Sequence, residues 1–198
     1  MILRLFRRKS KANEAICLRA YEAIVAAARQ KTFYAHFLVP DTPLGRYEML
    51  SLHIFLVLHR MKGRGPSLQA LAQDIADEFF KDVDHSLREL GIGDQGVPKR
   101  MKKLARMFYG RVQAYERALD FADRDGLAEA LTRNIRPDLA FWPYAAYLAD
   151  YMCRCRDRLN EIDDMALAAG EIEFYDAARI VSASDPAEQE AEGEKIND

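Results

Sequence analysis

Apolar side chains recur along this chain at intervals of three and four residues, which is the spacing of one face of an α-helix. The alternation of apolar and polar residues that indicates a β-strand is absent from the sequence. The clearest helical stripe consists of Leu68, Leu71, Ala72, Ile75, Phe79 and Val83. The pattern therefore predicts an all-α fold, a single compact bundle of several helices.

Capping residues, prolines and glycines divide this pattern into separate helices. Asn and Ser favour the position before a helix, proline its first turn, and glycine the position just after it. Asn13 is the expected cap of the first helix, and Trp142-Pro143 is expected in the first turn of the last. The predicted helices run from Glu14 to about Lys31, from Pro43 to near Gly63, from Ser67 to Leu90, from Pro98 to about Phe121, from Gly126 to Asn134, and from about Leu139 past Arg158.

The longest apolar run, Met49–Leu58, lies in the second predicted helix. It is well short of the ~20 apolar residues that a helix needs to cross a bilayer. We therefore predict a helix that is buried on nearly all sides at the centre of the bundle.

A glycine-containing turn and a helix with one basic face follow the third predicted helix. Gly91 can end that helix in a left-handed conformation, and Pro98 fits a first helical turn. Asp94 lies close enough to cap the new helix or to complement its dipole. At about 100° per residue, the apolar residues of this helix fall on one side. The opposite side, here called the basic face, consists of Lys99, Lys102, Lys103, Arg106 and Arg117.

Two interpretations of the basic face remain open. A run of charges is commonly a solvated helix surface. However, the five cations share the face without an intervening acid, so no alternating ion-pair pattern neutralises them. Such a face also fits a phosphate, an acidic protein surface or an anionic lipid surface.

The same region resembles the ubiquinol-cytochrome c chaperone family. The resemblance covers about Tyr21 to Leu131 and depends on Ser86–Asp94, Val97–Ala105 and Phe108–Arg111, with weaker support from Tyr47–Leu50 and Leu56–Arg60. It implies an all-helical, non-enzymatic assembly factor that binds newly made cytochrome b and holds it for haem insertion and assembly of ubiquinol-cytochrome c reductase. For mitochondrial members it also implies contact with the ribosome.

The candidate partner-binding residues are Asp94, Lys99, Lys102, Lys103, Arg106, Tyr109, Arg111 and Arg117. An alternative function is a ribosome-binding or RNA-binding helical module that uses the same lysines on phosphates. Whether a second small subunit takes part is left open by the sequence.

The two ends of the chain differ from the middle in composition. Residues 1–12 form a basic segment in which Leu3, Arg4, Phe6, Arg7 and Arg8 are candidate contacts with an anionic membrane surface. Residues 13–181 form the predicted helical domain, and residues 182–198 an acidic tail that we expect to be disordered. The net charge of −2 hides this uneven distribution. Three cysteines without a secretory signal favour a cytoplasmic location, with peripheral attachment at the inner face of the membrane as a further expectation.

An aromatic patch in a predicted connection is the candidate apolar contact for a client: Phe33, Tyr34 and Phe37. The alternative is that these rings close one end of the bundle. Asp82 and His85 are spaced to share a helix face, but a di-metal bundle needs a second such pair and two more carboxylates. We therefore expect no metal and no cofactor, and interpret His53 as a hydrogen-bonded core residue.

Overall fold

The structure is a computed structural model that describes residues 11–182. This part of the chain forms α1 (Lys11–Ala28), α2 (Lys31–Ala35), α3 (Pro43–Met61), α4 (Pro66–Glu89), α5 (Val97–Asp120), α6 (Arg124–Ile135), α7 (Ala145–Glu161), α8 (Asp164–Ala168) and α9 (Ala178–Ser182). The prediction of an all-α fold is confirmed. The candidate membrane contacts Leu3, Arg4, Phe6, Arg7 and Arg8, and nearly all of the acidic tail, lie outside the described residues.

The central helix of the bundle is α3, which packs against α1, α4, α5, α6 and α7. Its side chains are buried on nearly all sides, as the apolar run predicted. Between residues 11 and 182, none of the helices is both long and apolar enough to cross a bilayer.

The start of α3 is fixed by its own first residues. The Thr42 side chain accepts a hydrogen bond from the backbone N–H of Gly45 (3.1 Å), and Pro43 occupies the first turn. Gly45 then packs directly against the preceding chain, since a Cβ built on it would lie 1.9 Å from the carbonyl oxygen of Pro40. Only glycine lets the connection from α2 return this closely over α3.

The turn between α4 and α5 has the geometry that Gly91 predicted. Gly91 adopts φ +77° and donates to the Arg88 carbonyl (2.9 Å), while the N–H of Ile92 donates to the Leu87 carbonyl (3.2 Å). These two bonds form a Schellman motif, which satisfies carbonyls at the end of α4. Asp94 does not cap α5, because Gly96 occupies the cap position without a side-chain hydrogen bond and Asp94 pairs with Arg88 instead.

The last long helix begins later than predicted. Trp142 and Pro143 precede α7, which starts at Ala145. Trp142 is buried, and its indole N–H donates to the backbone carbonyl of Phe37 (2.9 Å). A tertiary contact therefore fixes this segment in a non-helical conformation.

A non-helical stretch at residues 171–176, here called the C-terminal strap, returns from α8 across α1. Both polar atoms of the Gln30 side-chain amide form hydrogen bonds with the backbone at the end of this strap. Its Nε2 donates to the Tyr175 carbonyl (3.3 Å), and its Oε1 accepts from the backbone N–H of Ala177 (2.8 Å). The end of α1 is thus tied to residues far along the chain.

Candidate functional site

All five cations of the basic face are exposed on α5. Within residues 11–182, no ion pair or hydrogen bond is formed by the side chains of Lys99, Lys102, Lys103, Arg106 or Arg117. The opposite side of α5 carries the buried Phe108, Tyr115 and Leu119. The helix therefore presents a positive surface that no acid of the described chain neutralises.

The middle of this surface contains a glycine. Gly110 lies four residues after Arg106 and seven before Arg117, so it shares their side of the helix. Apart from its own stretch of helix, no part of residues 11–182 lies within 4 Å of the position where its Cβ would be. Tyr109 beside it is 61% exposed, with its ring against that of Phe108. A glycine inside a helix costs roughly 1 kcal/mol relative to alanine.

Arg111 was predicted to be a partner-binding residue, but it does not belong to the exposed positive surface. Its guanidinium is largely buried and donates two hydrogen bonds of 2.5 Å to the buried carboxylate of Glu48 on α3. Burial raises the pKa of Glu48 to about 7, and the charge of Arg111 acts in the opposite direction. A signal was present in the sequence, since Arg111 lies seven residues after Leu104 and four before Tyr115, on the core side.

A second buried contact joins the same two helices. The Tyr47 hydroxyl donates to the carbonyl of Leu104 (2.7 Å), and burial raises the pKa of Tyr47 to about 12. Because α5 is fixed to α3 at two neighbouring points, the basic face has a defined position relative to the core.

A cavity of about 780 Å³, here called the apolar groove, opens beside the start of α5. Its walls come from the end of α1, from α2, from the start of α3, from the end of α4 and from the first turns of α5. The apolar residues that line it are Val25, Ala28, Leu44, Leu50, Val83, Leu87, Leu90, Ile92 and Leu104. This volume and this lining are typical of ligand-binding clefts.

Two leucines of the groove remain open to solvent. Leu44 is 51% exposed and Leu90 is 57% exposed, although both contact an apolar cavity. The groove was not predicted from the sequence because its walls come from five helices. One signal was available: the apolar stripe of α4 continues beyond Val83 through Leu87 to Leu90, immediately before the turn.

The charges around the groove are of both signs. Arg46 pairs with Asp41 (2.6 Å), and Asp82 accepts a hydrogen bond from the Tyr21 hydroxyl (2.9 Å). Arg29 and Arg100 also line the groove, and neither pairs with an acid of residues 11–182. Arg100 lies three residues before Lys103, so the groove and the basic face adjoin.

The aromatic patch is not an exposed surface. Phe33 and Phe37 are buried in the core, where Phe33 packs edge-on against Tyr151 at 4.9 Å between centroids. The expectation that Phe33 and Phe37 contact a client is therefore wrong, since both rings are buried in the core. Tyr34 is half-buried and lines the apolar groove.

The groups considered for metal binding have other partners. Asp82 is held by Tyr21, while His85 lies 3.2 Å from Glu89. No cluster of three or more His, Cys, Asp or Glu side chains suited to a metal ion occurs between residues 11 and 182. His53 is buried and hydrogen-bonded to the Met49 carbonyl (2.7 Å) and the Tyr151 hydroxyl (2.8 Å), as predicted for a core histidine.

Comparison with known proteins gives a consistent set of relatives. The family model described as Ubiquinol-cytochrome C chaperone matches residues 35–174. The chain is 27% identical over 118 residues to ubiquinol-cytochrome-c reductase complex assembly factor 1 of Xenopus laevis, which covers 60% of this chain and 58% of the relative. It is 28% identical over 117 residues to the human protein of that name, covering 59% of this chain and 39% of the relative.

The alignments therefore span little more than half of the frog protein and about two fifths of the human one. Among solved structures, the crystal structure of the Cbp3 homolog from Brucella abortus is 77% identical, with a TM-score of 0.82. That match covers 90% of this chain and 99% of the Brucella chain.

Proposed function

Because the chain belongs to the ubiquinol-cytochrome C chaperone family, we propose that it promotes assembly of ubiquinol-cytochrome c reductase by holding newly made cytochrome b. It acts by binding rather than by catalysis. The names of the assembly factors that it resembles support the process. The identity of the client, cytochrome b, comes from the resemblance of the sequence motifs to this family.

The observation that carries the mechanism is the apolar groove beside the basic face. A membrane-protein client needs apolar surface that excludes water before the client reaches its partner subunits. The groove provides such surface, and Leu44 and Leu90 stand at its opening half-exposed. Covering a leucine completely contributes roughly 1.5–3 kcal/mol, so a client segment gains stability by burying what remains open.

The basic face supplies the second part of the contact. Exposed cations next to an apolar site speed association with acidic surfaces and suppress wrong partners more than they add affinity. A segment of cytochrome b with apolar residues in the groove and acidic residues along α5 would satisfy both. Binding that depends on a few leucines and on charges screened by salt is reversible, and the client must be released for assembly.

The groove is tested by placing a charge at its mouth. Full-length tagged protein is purified from its own cells with Leu44→Glu, with Leu90→Glu, and with Leu18→Glu as the matched control. Leu18 is 52% exposed on α1 and does not line the groove. We expect cytochrome b to be recovered with the parent and the control, and at least tenfold less with the groove variants. Equal recovery with all variants would remove the groove from the mechanism.

The basic face is tested by the triple replacement of Lys99, Lys102 and Lys103 by Glu in the same purification. These exposed side chains have no partner in residues 11–182, so the fold should be unchanged by circular dichroism and thermal unfolding. We expect loss of cytochrome b. Recovery of ribosomal RNA by the parent without cytochrome b would instead favour the nucleic-acid alternative.

A further inference from the structure

The exposed side of α5 carries a glycine that the described chain does not explain. Gly110 lies within a continuous helix and does not have a positive φ. A Cβ built in its place would lie more than 4 Å from every described residue outside its own stretch of helix. Glycine is the poorest helix former after proline, and it is commonly found where a turn, a strained backbone or a close approach demands it. Gly110 lies neither in a turn nor in a strained backbone, and no other part of residues 11–182 approaches it closely.

Charge provides an independent observation on the same side of the helix. Lys99, Lys103 and Arg106 follow one another at spacings of four and three residues, where like charges repel and weaken the helix. No acid of residues 11–182 pairs with them. Two local features that disfavour α5 thus occupy one exposed stripe. Departures of this kind from local rules are expected at functional sites.

We infer that an acidic helix of a partner protein crosses α5 at Gly110. The missing side chain lets two helix axes approach more closely than the 8–10 Å of ordinary helix packing, as small residues do at other tight crossings. The cations before and after the crossing then pair with carboxylates of the partner helix. The exposed ring of Tyr109 provides an apolar contact beside it.

A glycine in the middle of the basic face favours a helix over a nucleic acid as the partner. Lysine and arginine reach phosphates with the ends of long side chains, so an RNA-binding surface does not require the backbone to be bare. A helix that packs on the backbone does require it. The inference rests on the proposed function and deepens it, because it specifies that the acidic partner segment at the basic face is a helix and that it crosses α5 at Gly110.

The test uses a photo-reactive phenylalanine derivative in place of Gln113, which is exposed one turn after Gly110. The full chain is expressed in its own cells, irradiated, and the joined residue is identified by mass spectrometry. The same chain is prepared with Gly110→Leu, which preserves every charge, and with Ala146→Leu as a control on exposed α7 surface. Thermal unfolding of each purified variant shows whether it is folded.

We expect the adduct to lie in a protein segment that has aspartate or glutamate along one helical face. Gly110→Leu should reduce the adduct yield at least tenfold in a folded protein, and Ala146→Leu should leave it unchanged. The inference is overturned by an adduct with RNA, lipid or residues 183–198 of this chain, by a segment without an acidic helical face, by no adduct, or by equal yields with Gly110→Leu.

The proposed function is judged by a different readout, the recovery of cytochrome b with Leu44→Glu and Leu90→Glu. A helical adduct at Gln113 without any recovery of cytochrome b contradicts the proposed client but keeps the crossing. Recovery of cytochrome b that is lost with Leu44→Glu and Leu90→Glu, without a helical adduct at Gln113, supports the proposed client and contradicts the crossing.

Discussion

Arg111 and Lys103 show how two cations of one helix can have opposite roles. Lys103 is exposed and unpaired within the described residues, whereas Arg111 is buried against Glu48. A buried ion pair is weak evidence for net stability, because desolvation offsets much of the attraction. Removing one partner is nevertheless costly, since the other charge is left buried alone. Arg111 therefore belongs to the structure that positions the basic face.

Replacing Arg111 by Met should lower the free energy of unfolding by about 3–5 kcal/mol at pH 8. The loss should be smaller at pH 5, because Glu48 already has a pKa near 7 and is protonated there. The double variant Glu48→Met with Arg111→Met should recover most of the stability. Urea unfolding at both pH values measures this. Parent-like stability of Arg111→Met with loss of partner binding would instead make Arg111 a contact residue.

His53 gives the fold a defined sensitivity to acid. Burial lowers its pKa from 6.5 to about 4, so the unfolded chain binds a proton between these values that the folded chain does not. Stability from this group is complete above pH 6.5 and is lost as the pH falls towards 4, by roughly 3 kcal/mol in total.

His53→Gln, which keeps a neutral polar side chain, should flatten the fall in unfolding free energy between pH 6.5 and 4. Urea titrations at several pH values test this, with His85→Gln on the exposed side of α4 as the control. Identical pH slopes for the parent and His53→Gln would contradict the interpretation.

At the scale of elements, helix ends were predictable where a residue type dictates the backbone. Thr42, Pro43 and Gly91 occupy the positions that their chemistry favours. The short α2, α8 and α9 were missed, because five residues are too few for a helical period. The late start of α7 could not be foreseen either, since it depends on the Trp142 contact with Phe37, 105 residues away.

The ends of α4 and α5 form a matched pair for a test. Both end in Schellman motifs, but the left-handed position holds Gly91 at φ +77° in one and Ala122 at φ +54° in the other. A side chain in this region costs about 1–2 kcal/mol. Gly91→Ala should therefore lower the unfolding free energy by about 1 kcal/mol, and Ala122→Gly should raise it by up to that amount. Thermal unfolding of both variants gives the answer, and shifts of the same sign would refute it.

For the whole molecule, composition and pattern predicted the class and one basic surface, and the motifs predicted the family. The apolar groove could not be predicted from any one segment, because its walls come from five helices. The partner of Arg111 could not be predicted either, because Glu48 is 63 residues away along the chain. Long-range contacts thus decide which candidate residues remain available to a partner.

The C-terminal strap offers a test of long-range coupling. Gln30→Ala removes the hydrogen bonds to Tyr175 and Ala177 and leaves a backbone N–H without its acceptor. We expect faster amide hydrogen exchange in residues 172–182, equivalent to a local loss of about 1–3 kcal/mol. Exchange around Leu87 in the groove should be unchanged. Uniform acceleration over the whole chain would show that the strap and the bundle unfold as one unit.

Gly45 has a consequence that reaches beyond the start of α3. Its lack of a side chain is what allows the Pro40 carbonyl to rest on the helix, and the next residues, Asp41 to Leu44, form one lip of the groove. The position of that lip therefore depends on the absence of a side chain at Gly45. Gly45→Ala would push residues 41–44 outward without changing any of the side chains that line the groove. The residue at position 45 therefore affects the size of the segment that the groove can accept.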